Sequence, residues 1–167
     1  EPFKLQDLSW AYFATGNVAI DKKVLEKSGL FDTSFKLYGW EDLELGERLR
    51  NMGVKLIKCP KAIGYHWHPA LALDQIPHLI QIEKERAKMG LIFYRKHPTL
   101  RVKFIIQYTF IHRCLWELLT LGGLINTKTI RPLLAFLIKN GHPGAAMELL
   151  RIPLNLIGVR QIFREAS

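Results

Sequence analysis

Tyr38-Gly39-Trp40-Glu41-Asp42-Leu43-Glu44-Leu45-Gly46-Glu47-Arg48-Leu49-Arg50-Asn51-Met52-Gly53 is the stretch on which the fold reading turns. A Gly-Trp turn, two acids and leucines at helical spacing predict a helix from about Glu41 to Met52, stopped by Gly53. At ~100° per residue, Leu45, Leu49 and Met52 share one face while Glu44, Glu47 and Asn51 take the other. Glu41 and Asp42 flank the apolar face, one on each side, and are expected to be less solvated than Glu44 and Glu47. A carboxylate at a helix N-terminus, beside an aromatic ring that can stack on a sugar face, suits general-base work on a hydroxyl. First-turn acids also occur for the helix dipole alone, and the residues by themselves leave both readings open.

Upstream, Ala11–Ile20 reads as a strand running into a turn at Thr15-Gly16-Asn17. Asp21 then caps a short helix through Lys27, closed by Gly29, and a loop carries the chain to Trp40. Downstream, Val54–Ile57 and Ala62–His68 read as strands. In the latter, His66 and His68 share a side with Gly64, opposite Ile63, Tyr65 and Trp67, so two imidazoles can reach one cation. Cys59 completes no four-ligand zinc pattern, which leaves an open site finished by phosphates and by ligands outside this chain, or plain polar decoration.

The texture changes after Pro69. Helices are predicted at Ile76–Tyr94, Leu100–Leu121, Lys128–Lys139, Gly144–Leu150 and Leu154–Arg164, with Pro98, Pro143 and Pro153 as punctuation. The Leu100–Leu121 helix carries only a narrow polar stripe, Lys103, Gln107, Arg113, Glu117 and Thr120, so most of its circumference is expected to be buried. Charge and period change together near residue 72, which divides the chain into 1–72 and 73–167.

Composition bounds the class. The chain has 167 residues, 49% hydrophobic and 23% charged, which excludes a disordered tail, a collagen-like repeat and a disulfide-rich mini-protein. Cys59 and Cys114 are too few for a disulfide framework. No apolar run approaches the ~20 residues needed to span a bilayer. The chain opens at Glu1-Pro2 in structured-looking sequence, as a piece of a longer protein would. Of the net charge of +9, residues 73–167 carry +8. A basic helical region suits an anionic membrane surface, or a packed helical subdomain that covers the first part or self-associates into a homo-oligomer. The clustering of Arg95, Lys96, Arg101 and Lys103 between helices favours the packed subdomain. No nucleic-acid recognition motif is present.

Thr15-Gly16-Asn17-Val18-Ala19-Ile20, Val24-Leu25-Glu26-Lys27-Ser28-Gly29-Leu30-Phe31-Asp32, Tyr38-Gly39-Trp40-Glu41-Asp42 and the helix after it, Gly53-Val54-Lys55-Leu56 and Tyr65-His66 together resemble, in order and spacing, the C-terminal half of the catalytic domain of family-two glycosyltransferases. The same stretch is similar to the C-terminal portion of galactosyltransferases. The resemblance covers about residues 8–68, and nothing comparable covers 73–167. It implies an α+β, helix-rich fold: a partial GT-A catalytic half of short strands with helices, followed by a helical C-terminal subdomain.

The resemblance also implies roles. Asp42 would take the proton from the acceptor hydroxyl, Glu41 would hold the acceptor sugar and Trp40 would wall it. Gly16 and Asn17 would form the turn near the donor sugar. His66, or alternatively His68, would join a divalent cation, manganese or magnesium, that bridges the diphosphate of a nucleotide-sugar donor. The reaction is an inverting transfer to a hydroxyl of a glycan or lipid-linked acceptor. Such enzymes carry an Asp-X-Asp motif before this segment, and this chain has none. The chain alone is therefore expected to be inactive, and the enzyme to be cytoplasmic, peripheral at the inner face of the membrane. The rival reading is a non-catalytic helical interaction or membrane-surface-binding module.

Overall fold

The computed structural model describes residues 13, 15–57 and 59–167. The chain separates into two compact units, Glu1–Trp67 and His68–Ser167. All regular structure among the described residues is helical, which overturns the α+β expectation and, with it, the partial GT-A half built of short strands. The segments 15–20, 54–57 and 62–68, expected as strands, are irregular, and residues 11, 12 and 14 of the first prediction lie outside the described residues. A strand exists only as part of a ladder that satisfies its N–H and C=O groups. Alternating apolar residues give these segments a preference for extension, but no ladder forms among the described residues.

In the first unit, Asp21 caps helix α1 (Lys22–Lys27) by accepting the Lys23 N–H at 2.7 Å. Gly29, at φ +88°, ends it and lets the Leu30 N–H reach back to the Leu25 carbonyl. Helix α2 (Glu41–Asn51) closes the same way, with Gly53 left-handed and the Val54 N–H on the Leu49 carbonyl. Phe13, Leu45 and Leu49 form the core, with Ile20, Val24, Leu25 and Val54 packed around them.

The second unit runs from a short 3-10 turn, Leu73–Gln75, into α3 (Ile76–Lys96), α4 (Leu100–Ile105), α5 (Phe110–Leu119), α6 (Arg131–Lys139) and α7 (Pro143–Ala166). Helix α7 is the central member, with α3, α5 and α6 packed on it. A core of Leu71, Ile76, Ile130, Leu134, Ala146, Leu150 and Leu154 binds α3, α6 and α7 together. No helix among the described residues is long and apolar enough to cross a membrane.

Two predicted boundaries move here. Helix α7 runs through Pro153, where the sequence predicts two helices. The proline forfeits one helical hydrogen bond, but it is fully buried in the packing that surrounds α7, and that burial holds the helix continuous. The single Leu100–Leu121 helix is instead two. Gln107 turns left-handed at φ +59°, the Tyr108 N–H reaches back to the Lys103 carbonyl, and Thr109 caps α5 by accepting the His112 N–H.

The expected burial of that segment is reversed in its α5 part. Its polar stripe faces protein: Gln107 accepts the Trp116 indole N–H at 2.6 Å and donates to Asn155 of α7, Glu117 pairs with Arg160 of α7, and Thr120 is buried. In α5 the apolar side is what stays exposed, whereas Val102 of α4 and Ile106 just after it are buried. Helix α7 presents polar partners, Asn155 and Arg160, so the polar side of α5 is the complementary one.

Candidate functional site

The start of α2 is built by two successive left-handed residues, Gly39 at φ +102° and Trp40 at φ +76°. Glycine adopts that conformation freely, but tryptophan does so at a cost of about 1 kcal/mol or more. Trp40 is the N-cap and offers no side-chain cap, while its carbonyl accepts the Glu44 N–H at 2.8 Å. Strain of this kind persists where the surroundings hold it, commonly at binding sites.

Glu41 and Asp42 stand side by side in the first helical turn, both half-buried. One oxygen of Asp42 accepts the Leu43 N–H at 2.8 Å, one of the open donors of the helix start. Oε2 of Glu41 is buried and has no hydrogen-bond partner among the described residues. A buried carboxylate oxygen left without a donor costs free energy that a hydroxyl from outside would recover.

The burial ranking expected from the helical wheel is reversed. Glu44 and Glu47 are almost fully buried, more so than Glu41 and Asp42, and Met52 is exposed. The cause is ion pairing along the helix. Arg48 bonds both oxygens of Glu44 and also donates to the carbonyls of Ser28 and Leu30, while Arg50 pairs with Glu47 at 2.6 Å. A wheel counts charges as solvent-seeking, and the Arg four residues on from Glu44 was the signal that this one is not.

The turn at Gly16 and Asn17 is exposed, and a side chain at residue 16 would meet open space. Asn17 does the structural work there: its amide donates to the Ala62 carbonyl at 2.8 Å and rests against Gly64. The first turn is thereby tied to the segment that leads to His66. Between residues 17–20 and 54–62 lies an open groove of about 780 Å³, floored by Phe13 and Leu49 and walled by Val18, Ile20, Val54 and Leu56.

His66 sits in an exposed irregular segment of the first unit, and His68 is the first residue of the second. Among the described residues no three His, Cys, Asp or Glu side chains gather closely enough to hold a metal ion. The described residues therefore do not by themselves fit the divalent cation.

The chain is 42% identical over 69 residues to the hyaluronan synthase of Pasteurella multocida, and 39% identical over 66 residues to the chondroitin synthase of Pasteurella multocida strain Pm70. It is 38% identical over 66 residues to the chondroitin synthase of Escherichia coli. These matches cover 40–41% of this chain and only 7–10% of the length of the relatives. No family model matches, and no solved structure does. Hyaluronan and chondroitin synthases are glycosyltransferases, and two fifths of this chain is similar to a segment of them.

Proposed function

We propose that this chain supplies the acceptor side of an inverting, family-two glycosyltransferase that extends a polysaccharide of the hyaluronan or chondroitin kind. The observation that carries the reading is the buried Oε2 of Glu41, without a hydrogen-bond partner among the described residues and next to Asp42 at a strained helix start. The identity to the three synthases supports it, because the matched length of 66 to 69 residues is close to that of the first unit.

In this reading Glu41 accepts a hydrogen bond from an acceptor sugar hydroxyl, and the Trp40 ring walls the sugar. Asp42 accepts the proton of the attacking hydroxyl. The hydroxyl oxygen forms a bond to the anomeric carbon as the bond from that carbon to the diphosphate oxygen breaks, and the nucleoside diphosphate leaves with the electron pair. Attack from the face opposite the leaving group inverts the anomeric centre, with no covalent enzyme intermediate. His66 is proposed as one ligand of the donor's divalent cation, completed by residues outside this chain. With no Asp-X-Asp motif in the chain, donor binding also depends on such residues.

Saturation-transfer NMR of the 167-residue chain with hyaluronan and chondroitin oligosaccharides tests the acceptor side. Contacts to a sugar that vanish in Glu41→Gln support the reading, and equal signals from wild type and Glu41→Gln remove it. Incubation with UDP-sugars and manganese should yield no transfer by the chain alone. Robust transfer would overturn the assignment to the acceptor side only.

A further inference from the structure

Helix α5 turns its apolar face outward. Phe110, Ile111, Cys114, Leu115, Leu118 and Leu119 fall on one side of it, and all six are exposed, Phe110 at 74% and Leu118 at 72%. The other side carries Trp116 and Glu117, which bond Gln107 and Arg160. A surface helix of a globular protein has the opposite polarity. The apolar surface continues into the turn after α5, where Leu121 and Leu124 are exposed at 61% and 72%. An exposed patch of this extent marks a docking surface.

Charge decides what covers it. From Arg95 to Met147 the only acid is Glu117, and Arg160 holds it by two hydrogen bonds of 2.6 and 2.8 Å. The same stretch carries eight Lys and Arg residues, among them the exposed Lys128 and Arg131 just beyond the turn. A second copy would bring like cations together around the apolar contact. A bilayer with anionic headgroups satisfies both features at once, apolar side chains at the acyl boundary and cations at the phosphates. We infer that α5 and the turn at 121–124 lie in the plane of an anionic lipid surface, apolar face down. This goes beyond the glycosyltransferase reading and does not rest on it.

The test is flotation of the 167-residue chain with phosphatidylcholine vesicles, with and without phosphatidylglycerol. The chain should float with the anionic vesicles, and added salt should release it. Leu118→Glu, at an exposed position that leaves the circular dichroism unchanged, should abolish flotation. Lys128→Gln and Arg131→Gln should each weaken it about fivefold. In a Cys59→Ser chain, an environment-sensitive dye on Cys114 should shift to the blue on anionic vesicles only. Absence of both flotation and dye shift overturns the inference, as does flotation that Leu118→Glu leaves intact. A dimer that Leu118→Glu dissolves, without vesicle binding, overturns it in favour of a second copy.

Discussion

A Cβ built on Gly46 would stand 2.6 Å from the Cβ of Phe13 and 3.0 Å from its backbone nitrogen. Helix α2 and the segment at Phe13 touch through that missing side chain, and the contact sits beside Leu45, at the centre of the first unit's small core. Gly46→Ala would normally gain up to about 1 kcal/mol of helix propensity. Here the backbone of Phe13 has to move, and overpacking of this kind costs about 1–3 kcal/mol. Gly46→Ala should therefore lower the urea midpoint, and a rise would show that the contact gives way freely.

Arg48 closes the loop after α1 onto α2. Its guanidinium bonds both oxygens of the buried Glu44 and the carbonyls of Ser28 and Leu30. Arg48→Met keeps much of the stem but removes the donors that the guanidinium gives to the buried Glu44 carboxylate and to two carbonyls. Breaking a buried pair from one side costs about 3–5 kcal/mol. The double variant Glu44→Gln, Arg48→Met should recover part of that loss in urea unfolding, and equal losses in the single and double variants would show that the pair itself contributes little.

Much of the local geometry was legible, because it depends on few residues. Asp21, Gly29 and Gly53 act within one turn of where they stand, so the caps of α1 and the stop of α2 follow from residue type alone. The strands were not legible, since Val54-Lys55-Leu56-Ile57 reports a preference whereas a ladder requires a second segment. Nor was the polarity of α5. Its stripe of Gln107, Glu117 and Thr120 reads as a solvent face until Asn155 and Arg160, some forty residues on, are known to oppose it. The sequence singled out Glu41 and Asp42 as candidates, whereas the left-handed backbone of Trp40 and the buried Glu41 oxygen that lacks a partner among the described residues required coordinates.

Trp40 separates stability from function. Asparagine tolerates the left-handed region and can cap a helix through its side chain, a gain of about 1 kcal/mol. That gain offsets the ring contacts that Trp40→Asn gives up, so its unfolding midpoint should stay close to wild type. If Trp40 walls the acceptor sugar as proposed, oligosaccharide contacts in saturation-transfer NMR should fall sharply with the ring gone. Undiminished contacts would remove Trp40 from the acceptor site.

The Glu117–Arg160 pair gives a pH signature. The hydrogen bond from Arg160 and its positive charge hold the Glu117 carboxyl below its ordinary value of 4.5, against a smaller opposing effect of burial. A carboxyl whose folded value is depressed contributes stability that is present above the unfolded value and is lost as pH falls through the folded one. The pair is partly exposed, so salt screens it and its contribution is modest. Glu117→Gln should therefore unfold at lower urea than wild type at neutral pH, and the gap should narrow as pH drops below 4.5. It should also narrow in high salt at neutral pH. A gap that stays constant from neutral to acid pH would mean that the pair acts by packing α5 onto α7 and not through its charge.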